Sequence, residues 1–348
     1  MSFKNKQNRR FIAEWEPQSA VMIAWPHEQT DWAYMLDEVE KCYINVAKAI
    51  LQKENLIIIT ENSERVEKLI GNKHPFKVKY AQFPTNDTWC RDFGAITIEN
   101  NDKLAICDFK FNAWGGKFNW DLDNNITPQM NEQSFFECEV ENCQNFILEG
   151  GSIETDGKGT LLVTSQCLLT PTRNPHMNKE QIESYLCDTL GVGKVLWLDY
   201  GAFAGDDTDS HIDTLARIAI KDSIIYAGCD DENDEHYAEL KKMEEQLSTF
   251  KTIDGVPFKL YKLPFPDAIY DEDGERLPAT YANYLIGNGV VWVPTYNQPE
   301  NDEKALQVIQ RVFEDYEIVG IDCTALIKQH GSLHCITMQF PKNVIKGL

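Results

Sequence analysis

The chain has 348 residues, with 33 Lys and Arg against 55 Asp and Glu, a formal net charge of −22. That length holds one large domain or two ordinary ones, and 43% hydrophobic residues suffice for a sizeable core. The acidity argues against nucleic acid, whose phosphates need clustered Lys and Arg, and leaves open that some carboxylates line a site for a cation.

Residues 1–10, with Lys4, Lys6, Arg9 and Arg10, are expected to be a flexible N-terminus of a single domain spanning 1–348. Glu14 and Glu16 stand where an export signal would place its apolar region. Apolar runs such as Ala20–Trp25 fall far short of the roughly 18 residues of a transmembrane helix. A cytoplasmic protein without membrane contact is therefore expected. Along the chain, Val21–Trp25 reads as a strand, Tyr34–Lys53 as a helix and Leu56–Thr60 as a strand. Four β-hairpins follow, because Asn, Asp and Gly tolerate the positive φ of tight turns. They are Ala95–Glu99 with Leu104–Phe109, Ser152–Glu154 with Thr160–Thr164, Leu215–Ile220 with Ile224–Gly228, and Tyr284–Ile286 with Val290–Pro294. Helices at Asn178–Gly191, Asp234–Phe250 and Asn301–Glu314 lead into strands at Val195–Leu198, Phe258–Leu263 and Glu317–Cys323, and Ser332–Phe340 ends the chain as a lone strand.

The unit is thus hairpin, helix, strand. Asp92, Glu149, His211, Tyr281 and Cys335 mark the hairpin starts at spacings of 57, 62, 70 and 54 residues, a loose internal period. The first unit lacks a partner strand and the last strand lacks a unit. If they pair, the chain closes into a ring of five ββαβ units, and two open strand edges disappear.

In such a ring the marker positions converge on the axis, bringing Asp92, Glu149, His211 with Asp213, and Cys335 together. Each alone is weak evidence, since a Cys on a strand is ordinarily core. The ten cysteines form no C-x-x-C pair and most should be small buried hydrophobes, with one as a nucleophile. On a strand His211 and Asp213 would share a face, while His334 would point away from Cys335, leaving His211 as the better partner for the thiol. Thiol, imidazole and three carboxylates suit a planar cation. Asp92 and Asp213 can accept paired N–H bonds from a guanidinium, whose carbon the thiolate attacks. His211, oriented by Glu149, protonates the leaving amine and later deprotonates water. Asp230–Glu235 reads as a solvated helix start, and Asp271–Gly274 as a turn. No phosphate loop and no histidine cluster stand out, so no cofactor or metal is expected.

At these residues the sequence resembles the agmatine deiminases of the guanidine-modifying (pentein) superfamily, over roughly residues 11–341. The matching motifs are Glu14–Val21, Thr88–Asp92, Phe111–Lys117, Leu148–Ile153, Asp206–Asp213, Arg276–Asn283 and Gly331–Thr337. The resemblance implies a five-fold pseudosymmetric α/β propeller, of α+β class, and hydrolysis of agmatine to N-carbamoylputrescine and ammonia through a thiouronium on Cys335, in polyamine biosynthesis. It implies His211 as acid/base with Glu149 as its carboxylate partner, Asp92 and Asp213 as the guanidinium clamp, and Trp89 packed on the substrate. Asp207 is a candidate contact for the distal ammonium. Phe93-Gly94-Ala95 departs from the Thr-Gly-Pro of many relatives, which should alter packing more than chemistry. Peptidyl-arginine or another small guanidino compound is the alternative substrate, and a non-catalytic pentein-fold binding protein the alternative of another class. The expected partner is a small cationic guanidino molecule, and homo-oligomerisation is left open.

Overall fold

A computed structural model describes residues 8–348. Its strands form five small sheets, each built on an antiparallel pair to which a third strand is added in parallel. Ile96–Asn100, Lys103–Lys110 and Glu139–Ile147 form one, Ile153–Thr155, Thr160–Thr164 and Lys194–Leu198 the next. Ala216–Ala219, Ser223–Ala227 and Lys259–Leu263 form the third, and Leu285–Gly287, Val290–Thr295 and Glu317–Asp322 the fourth. In the fifth, the C-terminal strand Met338–Pro341 pairs antiparallel with Gln18–Ala24, which continues in parallel to Asn55–Ile59 and Val78–Ala81.

All four hairpins expected from turn chemistry are present, and the C-terminal strand meets the strand Gln18–Ala24 as expected. The parallel crossovers require a helix, and the amphipathic stretches supply it. In Leu36–Ile50 the residues Val39, Tyr43, Val46 and Ile50 recur at helical spacing and are fully buried. Lys179–Leu190 starts on a reciprocal Asn178–Gln181 capping box and stops at Gly191, whose φ of 73° suits a residue without Cβ. Pro299–Val312 and Tyr237–Leu247 fill the same place in the last two units.

Three sequence expectations are corrected. Of the flexible segment 1–10, residues 1–7 lie outside the described residues, but Arg9–Phe11 is a strand paired with Ile98–Asn100. Arg10 there binds Glu16 and Glu99, and two carboxylates on one guanidinium outweigh the pull of the chain end. The helix expected from Asp234 begins at Tyr237 instead, because the Asp234 carboxylate is held by Arg276 and His236. Ser332–Thr337 and His211–Leu215 are not strands: each forms tight turns just ahead of a strand that begins later, at Met338 or Ala216.

Candidate active site

Each antiparallel pair is preceded by a turn, and these turns carry the chemistry. Asp92 sits in the helical turn Cys90–Phe93, Glu149 just before the 3-10 turn Gly150–Ser152, and His211 and Asp213 at the turn Ile212–Leu215. Asn283 precedes the strand Leu285–Gly287, and Cys335 precedes Met338–Pro341. Four of the five neighbouring pairs of turns are hydrogen-bonded directly, and the third turn is held instead by Thr164 at the end of the strand Thr160–Thr164. The Gly151 N–H donates to Asp92 Oδ1 at 3.0 Å, Thr164 Oγ1 to the Ser210 carbonyl, and Thr280 Oγ1 to the Thr214 carbonyl. The His334 N–H donates to Asn283 Oδ1 at 2.8 Å, and the Arg91 N–H to the Cys335 carbonyl at 3.1 Å. Sequence reasoning chose Tyr281 as the fourth marker; the position that reaches the site is Asn283, two residues later.

Asp92, Glu149, His211, Asp213 and Cys335 are all buried. A Cβ built on Gly151 would lie 2.7 Å from His211 Nδ1, 2.8 Å from Asp92 Oδ1 and 3.1 Å from Asp213 Oδ2. One point therefore touches the imidazole and both carboxylates, and only glycine leaves it open. Cys335 Sγ stands 3.9 Å from Asp213 Oδ2 and 3.3 Å from Asn283 Oδ1. Asn283 also accepts the Cys335 N–H, so it fixes the cysteine at both backbone and side chain. Its only sequence signal was its place at the end of the Arg276–Asn283 motif.

Asp92 is oriented by the Gly151 N–H and by Trp114 Nε1 at 2.9 Å. Trp114 occupies the left-handed region at φ 53°, where an aromatic residue is strained, with Ala113 likewise at 49° before it. Phe93 packs against Phe111, so the Thr-to-Phe departure acts on the core as expected. Burial pushes the Asp92 carboxyl up to about 6, His211 beside it pulling the other way. For His211 burial opposes the cation, but Asp92, Cys167 and Glu149 prevail and hold its pKa well above the usual value. Burial, with Asp213 and Asp92, pushes the Cys335 thiol well up. Against burial, His334 holds Asp213 below the ordinary carboxylate range.

Two orientations differ from expectation. His334 does not turn away: its Nδ1 bonds Asp213 Oδ2 at 2.7 Å, because the segment is a turn and not a strand. Its other nitrogen faces Glu14 and Arg217, away from the thiol. Glu149 is near His211 but not hydrogen-bonded to it; its Oε1 accepts from Arg173 Nε at 2.9 Å. Arg173 also holds Asp209 and the Thr208 carbonyl, tying the Asp206–Asp209 loop to Glu149. Sequence reasoning missed Arg173.

The thiol opens into a small cleft lined by Asp31, Asp87, Trp89, Asp92, Asp207 and His330 among others, with no Lys or Arg among the described lining residues. Trp89 lies against Gly331, where a Cβ would be 2.2 Å from the ring. Burial and Asp31 push the Asp87 carboxyl up to about 7. Of the two weaker sequence candidates, Trp89 and Asp207, both line this cleft.

Residues 10–341 match the model of the Porphyromonas-type peptidyl-arginine deiminase family. A solved Porphyromonas gingivalis protein provisionally named arginine deiminase is 47% identical, with a TM-score of 0.92 over 97% of this chain and 100% of that one. A C. jejuni agmatine deiminase, solved as a cysteine-to-serine variant with substrate bound, is 38% identical at a TM-score of 0.91, covering 98% of each chain. A Legionella pneumophila (strain Paris) protein provisionally named agmatine deiminase is 34% identical, covering 96% of each chain. With a match running almost from end to end, the chain belongs to the Porphyromonas-type peptidyl-arginine deiminase family, among the guanidino-modifying pentein enzymes.

Proposed function

We propose that this enzyme hydrolyses agmatine to N-carbamoylputrescine and ammonia, with Cys335 as nucleophile. The observation that carries the reading is the single point shared by His211 Nδ1, Asp92 Oδ1 and Asp213 Oδ2, with the Cys335 thiol beside Asp213. A guanidinium there presents N–H groups to two carboxylates and its carbon to sulfur. The bound cation favours the thiolate, countering the burial that disfavours it in the free enzyme. Sulfur bonds to the guanidinium carbon. The proton lost by the thiol travels through His211 to the departing nitrogen, which leaves as ammonia and a covalent thiouronium remains. His211 then takes a proton from water as hydroxide adds to the same carbon. The carbon–sulfur bond breaks, the adduct's hydroxyl proton passes to the departing thiolate, the urea leaves and His211 returns its proton to solvent. Glu149 faces His211 and supports its cationic form.

The cleft selects the substrate's other end. Asp31, Asp87 and Asp207 attract an ammonium, whereas the carboxylate of free arginine would face these acids with no Lys or Arg among the described lining residues. Trp89 and Trp114 give the methylenes an apolar wall. The hydrogen bonds between neighbouring turns and units, and the pairing of Met338–Pro341 with Gln18–Ala24, support a closed five-unit propeller with the site on its axis. Among the described residues no helix is long and apolar enough to cross a membrane, and we place the enzyme in the cytoplasm, feeding putrescine synthesis. Deimination of peptidyl-arginine is the second reading, favoured by the family match. Ammonia release from agmatine, free arginine and an arginyl peptide separates them. Agmatine should give the highest kcat/KM, by about 100-fold or more, the scale at which an unpaired charge is rejected. A faster rate on the peptide would overturn the assignment, as would turnover by Cys335→Ala.

A further inference from the structure

Folding brings Cys167, remote in sequence from the motifs above, against the acid/base pair. Ligand atoms of Glu149, Cys167 and His211 lie within 4.8 Å of one another. All three residues are buried, at 0%, 0% and 1% exposure. Part of their bonding capacity is unused. Glu149 Oε2 has no hydrogen-bond partner, Arg173 engages only Glu149 Oε1, and the His211 ring makes no close hydrogen bond, its nearest contact within the group being the Cys167 thiol. Leaving buried polar groups unsatisfied is unfavourable, so this arrangement favours a ligand that engages all three. Glu14, Glu154 and His334 form an equally compact group, but Arg217 already donates to both of those carboxylates. That second group therefore has its cation, built into the chain.

We propose that Glu149, Cys167 and His211 form an inhibitory site for a zinc-class divalent ion. The ion binds the thiolate sulfur, one imidazole nitrogen and Glu149 Oε2, and releases the thiol proton, with any imidazole proton, to solvent. Mixed S, N and O donors suit zinc, and three protein ligands leave a fourth position for water. Thiolate and carboxylate together neutralise the ion, and Asp92, 3.6 Å from His211 Nδ1, offsets the opposing charge of Arg173. The acidic cleft raises the local concentration of cations at its mouth. Occupancy takes His211 out of proton transfer, a consequence that rests on the acid/base role proposed above.

The test uses Co²⁺ as a coloured probe on Cys335→Ala, so that the cleft thiol cannot contribute. One equivalent should bind with a thiolate-to-cobalt charge-transfer band and the visible absorption of a tetrahedral site. Adding Cys167→Ala, or Cys167→Ser if the alanine variant fails to fold, should abolish the band. Adding Glu149→Gln should keep the band and weaken binding about 10- to 100-fold. In the native enzyme Zn²⁺ should inhibit ammonia release reversibly to chelator, and Cys167→Ser should resist it. Absence of the band in Cys335→Ala, or a band of equal strength without Cys167, overturns the site. The cobalt titration makes no use of turnover, so a protein inert towards agmatine would still pass or fail it.

Discussion

Replacing Gly151 by alanine plants one methyl group at the point where the imidazole and the two clamp carboxylates meet. Gly151 does not have a positive φ, so alanine brings no backbone strain and the effect is local. The new carbon would lie 2.7 Å from His211 Nδ1 and 2.8 Å from Asp92 Oδ1, where ordinary contact begins at 3.4 Å. Each group must retreat by about 0.6 Å, in a packed interior where such adjustment costs about 1–3 kcal/mol. Neither moves freely, because Asp92 is held by Trp114 and His211 is enclosed. Misplacement of about 1 Å costs roughly 100-fold in rate, and the methyl also fills space meant for the guanidinium. We expect kcat/KM for agmatine to fall by at least about 100-fold, close to 2.7 kcal/mol of transition-state stabilisation. The fold should survive with a melting temperature lower by a few degrees. Steady-state ammonia release, with circular dichroism and thermal melting on the same samples, measures both. A folded variant within threefold of the parent would refute the convergence of these three groups on the reacting centre.

Asn283→Ala removes the acceptor shared by the His334 and Cys335 N–H groups and the thiol. The His334 N–H keeps the Asn283 carbonyl at 3.1 Å, so one buried donor, the Cys335 N–H, is left unsatisfied at about 1–3 kcal/mol. This should lower the denaturation midpoint, and a loosened nucleophile should lower kcat more than it raises KM. An unchanged kcat would show that Asn283 only supports the fold. The pH dependence follows from Asp92, whose carboxyl is raised to about 6 and binds guanidinium only when ionised. The plot of kcat/KM, which reports the free enzyme, should fall as pH drops through that value and flatten above it; a profile level down to pH 5 would contradict the clamp. Arg217→Met removes the guanidinium that the buried Glu14 and Glu154 share, leaving Glu154 without its ion-pair partner and Glu14 with His334. Urea denaturation should then show a loss of about 3–5 kcal/mol, and a loss under 1 kcal/mol would show that the network relaxes without the arginine.

The hairpins were legible because each is specified locally, by Asn, Asp or Gly between short β-branched runs. The convergence of Asp92, Glu149, His211 with Asp213, and Cys335 was legible because the repeat sets the turn before each antiparallel pair at the same place and the motifs agree. Face alternation failed at 211–213 and 333–337, since those residues adopt turns where a period of two does not apply. His334 therefore reaches Asp213 after all. Asn283, Arg173, Gly151 and Cys167 were not legible, because each matters through a partner far along the chain. Gly151 looks like an ordinary half of a glycine pair until the positions of residues 92, 211 and 213 are known. Of the carboxylates behind the net charge of −22, Asp31, Asp87, Asp92 and Asp207 line the cleft beside Cys335.

Acid-quenching the enzyme during turnover of agmatine and mapping its peptides by mass spectrometry tests the central claim most directly. The account predicts an adduct of agmatine minus ammonia on the peptide containing Cys335, absent from Cys335→Ala and longer-lived when His211 is replaced by alanine. An adduct on another cysteine, or undiminished turnover by Cys335→Ala, would contradict it.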